Sequence, residues 1–309
     1  MKFFLDFQPE KASFDISYRD QIFSLGSCFS ENIGSKLLEL GWKGVSNPFG
    51  LLYNPASIAE IVNWIEKGEL DPEELFEHRG LWRHWLCHTS LAHPSKEQAI
   101  ENVQNALIQG KQGWENADVL ILTLGSSYAW YRHEAEQLVS NCHQMPRDDF
   151  AREFLGIDEM FQQLVSVIQG FKNGKENRRV VLTVSPIRYL RDGLIASNRS
   201  KARLIEVVQC IAAQIENLYY FPAYEVIIDQ LRDYRFYGKD MVHPSQEAIE
   251  FVWEQFSRNF STETKQFVKE AEKLRRMFQH RVLNPDSEQG KAFLVKREEA
   301  LRSFERRFW

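Results

Sequence analysis

Two short segments carry residue types that could perform covalent acyl transfer. The first, Gly26-Ser27-Cys28-Phe29-Ser30, places small residues between an apolar run and a helical pattern. At a strand-to-helix turn, such residues can project a nucleophile, and the unpaired N–H groups of the helix start stabilise a thiolate or an oxyanion. The same residues also suit a strand-ending glycine, a Ser helix cap and a buried cysteine. The second segment is Asp240-Met241-Val242-His243-Pro244. An acid three residues before a histidine can hold the imidazole in one tautomer and leave its other nitrogen to accept a proton. Pro244 and Ser245 suit a helix start, which puts His243 on a loop at an element end. Alone, this spacing describes a helix cap with an incidental histidine equally well. Together the two segments supply a nucleophile, a base and an orienting acid, and acyl transfer then needs an oxyanion hole.

Other clusters weigh less. His78, His84, His88 and His93 lie close together with Cys87. If residues 81–88 are helical, His84 and His88 share a face and could ligate a metal. No nearby carboxylate or cysteine completes a recognised spacing, and GLWRHWLCHTS is aromatic enough to be a packed wall, so no metal site is assigned. Arg188, Arg191, Asn198 and Lys201 follow an apolar run at 180–184, the ligand side of an open α/β sheet, although an ordinary solvated connection would look the same. Arg232, Arg235 and Lys239 could hold an anionic group or pair with Asp229, Asp233 and Asp240. No GxGxxG or GxxxxGK[ST] occurs, so dinucleotide and P-loop sites lack sequence support.

The elements that must position these residues follow from hydrophobic periodicity. IFSLG at 22–26 reads as a strand, and Ile33, Leu37, Leu38 and Leu40 fit a helical face after it. ADVLILTLGSS and RRVVLTVSP are continuous apolar runs with the character of strands covered on both faces, and LYYFPAYEVII contains another strand interrupted at Pro222. Helical stretches are expected at 55–67, 96–109, 148–170, 198–216 and 245–257. This alternation predicts a parallel sheet with helices on both faces. Residues 259–309 differ: TKQFVKEAEKLRRMFQHRV and KAFLVKREEALRSFERRF are charged, periodic and separated by NPDSEQG. They read as a C-terminal helical hairpin appended to a domain at 1–258, with a surface that could contact a partner or another subunit.

Composition bounds the class. The 309 residues are 43% hydrophobic and 26% charged with a net charge of -5, which excludes a disordered tail and gives no global electrostatic reason to bind nucleic acid or an anionic membrane. The 22 Phe, 10 Tyr and 8 Trp suggest a well-packed core, with a carbohydrate-facing surface as the other use. Cys28, Cys87, Cys142 and Cys210 are widely spaced and read as reduced thiols. The N-terminal residues show no signal-peptide pattern and no run could span a bilayer, so a soluble, cytoplasmic protein is expected.

IFSLGSCFSENIG, SNPFGLLYNP, CHQMP, the SP near residue 185, SKA at 200–202 and YFPAYEVIIDQLRDYRFYGKDMVHPS resemble the GSCFA family, a branch related to the SGNH or GDSL-like hydrolases. The resemblance spans about residues 3–257 and implies a flavodoxin-like three-layer α/β/α domain with an esterase or acyl-transfer reaction. Laid ungapped on the first block of the wider superfamily, Cys28 takes the nucleophile position and Ser27 that of the block's Asp; a one-residue shift in the turn would reverse them. The second block implies Gly50 as an oxyanion donor. The third places Ser127 where an Asn donor usually stands, with Asn47 as a compensating donor. The fourth matches Asp240 and His243. The Cys28 amide could complete the hole. The resemblance also points to the tryptophan-containing segment with Trp82 and His88 as a substrate contact, beside Arg188, Asn198 and Lys201.

The expectation is an esterase or acyltransferase acting on a small ester, plausibly an O-acylated carbohydrate, with no metal or organic cofactor required. The rival is a non-catalytic glycan-binding or scaffold protein on a degenerate hydrolase fold, favoured by the missing third-block Asn and the charged hairpin.

Overall fold

A computed structural model describes residues 5–134 and 137–309. Residues 1–4, where the expected domain and the family resemblance begin, lie outside the described residues. In chain order the first elements are β1 (Gln21–Gly26), α1 (Cys28–Glu39), β2 (Lys43–Ser46), α2 (Pro55–Lys67), β3 (Leu75–His78), β4 (Leu81–His84) and α3 (Lys96–Asn116). Then come β5 (Val119–Leu124), β6 (Tyr128–Arg132), β7 (Leu138–Val139), β8 (Phe150–Phe154), α4 (Ile157–Lys172), β9 (Arg179–Val184) and α5 (Leu194–Ala212). The chain ends with β10 (Leu218–Phe221), the short α6 (Ala223–Glu225) running into a π turn at Val226–Leu231, α7 (Gln246–Phe256), α8 (Thr262–Gln279) and α9 (Glu288–Phe308).

The apolar runs that lack alternation become the strands of a parallel sheet in the order β10-β9-β5-β1-β2. Every residue of β5 is buried, as a strand covered on both faces requires. By order of appearance these strands lie 2-1-3-4-5, the flavodoxin-like order, which reverses direction between β1 and β5 and so opens a crevice at their carboxyl ends. On one face, Phe23, Leu25, Leu120, Leu122 and Leu182 pack with residues of α2 to α5. On the other, Ile22, Val119, Ile121 and Val181 pack with α1, the π turn and α7 to α9. The result is a three-layer α/β/α domain with a C-terminal helical segment.

The hairpin of α8 and α9 shares this second core. Phe267 is fully buried and stacks on Tyr18 at 4.5 Å, while Phe304 and Phe308 also sit in the cluster. Their apolar burial contributes on the order of 2 kcal/mol each.

Two sequence expectations change. The stretch 148–170 is not one helix: Phe150–Phe154 forms β8, paired antiparallel to β6, and the helix begins at Ile157. Phe150 and Phe154, spaced four apart, mimic a helical face, but pairing with β6 satisfies the backbone here. Residues 81–88 are likewise not helical. Leu81–His84 pairs with β3, so His84 and His88 do not share a helix face.

Candidate active site

The turn after β1 positions the two candidate nucleophiles, Ser27 and Cys28. Gly26 has φ +136°, and a Cβ there would lie 2.2 Å from the Thr123 carbonyl oxygen, so only glycine lets β1 meet the end of β5 this closely. Ser27 then takes the N-cap position of α1, but its side chain makes no capping bond. Its Oγ is buried without a partner among the described residues. Cys28 is the first residue of α1, partly exposed, and opens on an apolar cleft of about 30 Å³. The two alternatives therefore separate: Ser27 is fully buried behind the turn and Cys28 faces the cleft.

The cleft sets the charge state of the thiol. The Cys28 thiol is pushed up overall, by burial first and the Glu31 carboxylate second, against the smaller downward pull of its own amide and Lys201. Phe29, Ile33, Ile187, Ile227 and Val252 form apolar walls, and Ser185 and Asn32 add polar edges. The volume leaves room for about one water-sized group.

Pro244, the residue after His243, also lines this cleft. Asp240 Oδ2 lies 2.6 Å from His243 Nδ1, and Asp240 Oδ1 accepts from the amides of Val242 and His243 at 3.0 Å each. These bonds hold the Asp240 carboxyl down at about 2, with His243 the largest cause. An ionised Asp240 keeps the proton on Nδ1 and leaves Nε2 to accept one. The loop is shaped by Met241 at φ +58°, by Gly238 donating to the His243 carbonyl at 2.7 Å, and by Ser245, which caps α7. Asp240 and His243 are about half exposed, at 51% and 56% of their side chains.

The expected oxyanion donors divide. Asn47, in the left-handed region at φ +44°, accepts the Gly26 amide on Oδ1 at 2.9 Å. Its Nδ2 is thereby left as a buried donor with no partner among the described residues. Gly50, by contrast, spends its amide on the Asn47 carbonyl at 2.8 Å; its φ is +81°, and a Cβ there would lie 2.2 Å from the His88 Cβ. Ser127 is also committed elsewhere: its amide and hydroxyl bond Ser200 on α5, so it faces the helix rather than the cleft. The first turn of α1, uncapped by Ser27, offers amides in addition to that of Cys28.

The expected substrate contacts are scattered. His88 supports Gly50 and accepts the Ser90 amide on Nδ1. Trp82 does not line the cleft; Lys96 lies over its ring at 5.0 Å. Arg188 lies beside the tyrosines of the other loop, donating to Tyr234 at 3.0 Å, and so links the segment after β9 to the His243 loop. Asn198 is exposed on α5. Lys201 is not on a solvated loop: it is 2% exposed and donates to the carbonyls of Gly125 and Ser185 at 2.5 and 2.7 Å. Two further residues join the site. Tyr53 is pushed up to about 12 by burial, with Cys28 adding, and its carbonyl accepts the Gly125 and Ser126 amides. Tyr189 is also raised by burial, and its ring packs against Tyr53. The NPFGLLYNP motif contains Tyr53, but nothing in its spacing marks the ring for this role.

Within the histidine-rich segment, His84 is held by packing: it is buried, stacks on Trp64 at 4.6 Å and bonds Glu74 at 3.0 Å. Among the described residues no three His, Cys, Asp or Glu side chains are grouped to hold a metal ion, and no helix is long and apolar enough to cross a membrane.

A solved structure described as "a putative platelet activating factor from Streptococcus pneumonia" is similar at 13% identity and a TM-score of 0.42, covering 78% of this chain and 83% of that one. No curated protein matches the chain. The GSCFA family matches residues 21–256, from β1 through α7 and with both chemical segments inside it, and the chain belongs to that family.

Proposed function

We propose that the protein is an esterase or acyltransferase acting on a small ester, an O-acyl group on a carbohydrate being the preferred class, through a covalent acyl-enzyme on Cys28. The observation that carries this reading is that Cys28, at the start of α1, shares one apolar cleft with the residue following an Asp240-held His243. His243 Nε2 takes the thiol proton as sulfur attacks the carbonyl carbon, and the carbonyl's π electrons move to oxygen. Asn47 Nδ2 and the first amides of α1 stabilise that oxyanion. Its collapse expels the alcohol, which receives the proton from His243. Water or an acceptor hydroxyl then releases the acyl group by the same steps in reverse. The narrow apolar cleft supports an acyl group of acetyl size.

Purified protein should hydrolyse aryl acetates or deacetylate acetylated sugars, with activity lost in Cys28→Ala. Failure to turn over either class, in folded protein, would overturn the reading. One observation favours the rival of a binding module: the amides and hydroxyl expected of Gly50 and Ser127 are already bonded. That rival predicts glycan binding that survives Cys28→Ala and His243→Ala together.

A further inference from the structure

Lys201 is an α5 side chain whose Nζ reaches under the cleft to the carboxyl ends of two sheet strands. Its two bonded acceptors locate it: Gly125 follows β5 and sits against the Ser27 side chain, and Ser185 follows β9 and lines the cleft with Cys28. A neutral amine has two N–H groups, which these carbonyls use; an ammonium has a third, and no third acceptor bonds it among the described residues. Burying an ammonium is costly unless that charge meets an anion.

We infer that Lys201 is the counter-charge of the Cys28 thiolate, a positioning residue whose third N–H faces the sulfur when the thiol ionises. The inference rests on Cys28 being the reacting group of the proposed function and names how its charge is held. As His243 takes the thiol proton, the S–H bond breaks, an N–H bond forms on Nε2, and the proton on Lys201 stays in place. Burial disfavours both charges, pushing the Cys28 thiol up overall, while each group when charged opposes the other's shift. Burial pulls the Lys201 ammonium down to about 7, and Cys28 opposes that shift. Lys201 in turn favours the thiolate against burial and Glu31. The remaining titratable neighbours are Tyr53 and Tyr189, the latter with Asp192 nearby; both phenols are held protonated and neutral by burial, and the Lys201 Nζ lies 5.2 Å from the Tyr189 ring centre.

The test reads Cys28 and Lys201 without turnover, so it fails independently of acyl transfer. Peptide-resolved iodoacetamide labelling of Cys28 across pH is compared between the full chain and Lys201→Met. An opposite charge at short range lowers an acid's midpoint by about one to three units, so the variant's labelling at pH 7 should fall about tenfold or more. Superimposable profiles in folded variant would overturn the inference. A second arm does not depend on that variant folding: nitrogen-15 NMR of Lys201 Nζ in the full chain and in Cys28→Asp, which places a permanent carboxylate at the helix start. The Lys201 midpoint should rise by at least one unit, and an unmoved midpoint would overturn the inference.

Discussion

Asn47 holds the Gly26 amide and, in the proposed function, donates to the oxyanion, and replacing it with alanine removes both duties. Removing Oδ1 orphans the Gly26 amide, now bonded at 2.9 Å, which costs about 1–3 kcal/mol. Alanine at φ +44° adds about 1 kcal/mol, because a left-handed backbone suits Asn better. Stability by urea denaturation should therefore fall by about 2–4 kcal/mol. Loss of the free Nδ2 donor should lower kcat on an aryl acetate about 10²- to 10³-fold with little change in KM, since that donor meets charge only in the transition state. Asn47→Asp is the discriminating companion: it retains an acceptor for Gly26 and removes the donor, so it should keep more stability and lose as much turnover. An Asn47→Ala enzyme that loses stability yet turns over normally would refute the oxyanion assignment and leave Asn47 as a clip for the β1 turn.

Three other outcomes follow from the same geometry. Ser127→Ala removes a hydroxyl bonded to Ser200 rather than to the cleft, so stability should drop by about 1 kcal/mol while kcat stays within about threefold, as read by thermal melts and steady-state kinetics. The Asp240 carboxyl is depressed from 3.8 to about 2, so its hold on His243 is complete above its unfolded value and is lost only as pH falls through about 2; the pH–rate profile should therefore show no limb from Asp240 above pH 4, and Asp240→Asn should lower kcat about 10²-fold or more. Phe267→Ala deletes a fully buried ring stacked on Tyr18 and should cost about 3–5 kcal/mol in a single unfolding transition; a separate early transition of the hairpin would contradict the shared core.

The parts of the site legible in the sequence are those built by neighbours along the chain. Gly26-Ser27-Cys28 shows a strand, a turn and a helix start within a few residues, and Asp240 meets His243 because only two loop residues separate them. The parallel sheet is legible too, since continuous apolar runs such as VLILTL suit strands covered on both faces, whereas the strand order comes only from the structure. What stayed hidden depends on partners far away in sequence. Ser127 looks like an oxyanion donor until Ser200, 73 residues on, takes its hydroxyl. Lys201 looks like a loop cation until α5 carries it beneath the ends of β5 and β9; Gly50 is the local exception, its amide taken by the carbonyl of Asn47 three positions back. The stretch 148–170 reads as one helix because spacing carries no record of β6, the strand that claims the backbone of Phe150–Phe154.

The most direct measurement is peptide-resolved mass spectrometry after brief exposure to p-nitrophenyl acetate, with His243→Ala as the control. The account predicts an acetyl adduct on Cys28 that forms in the wild-type chain and is strongly reduced in His243→Ala. An adduct on Ser27 instead, or labelling of Cys28 that is indifferent to His243, would contradict it.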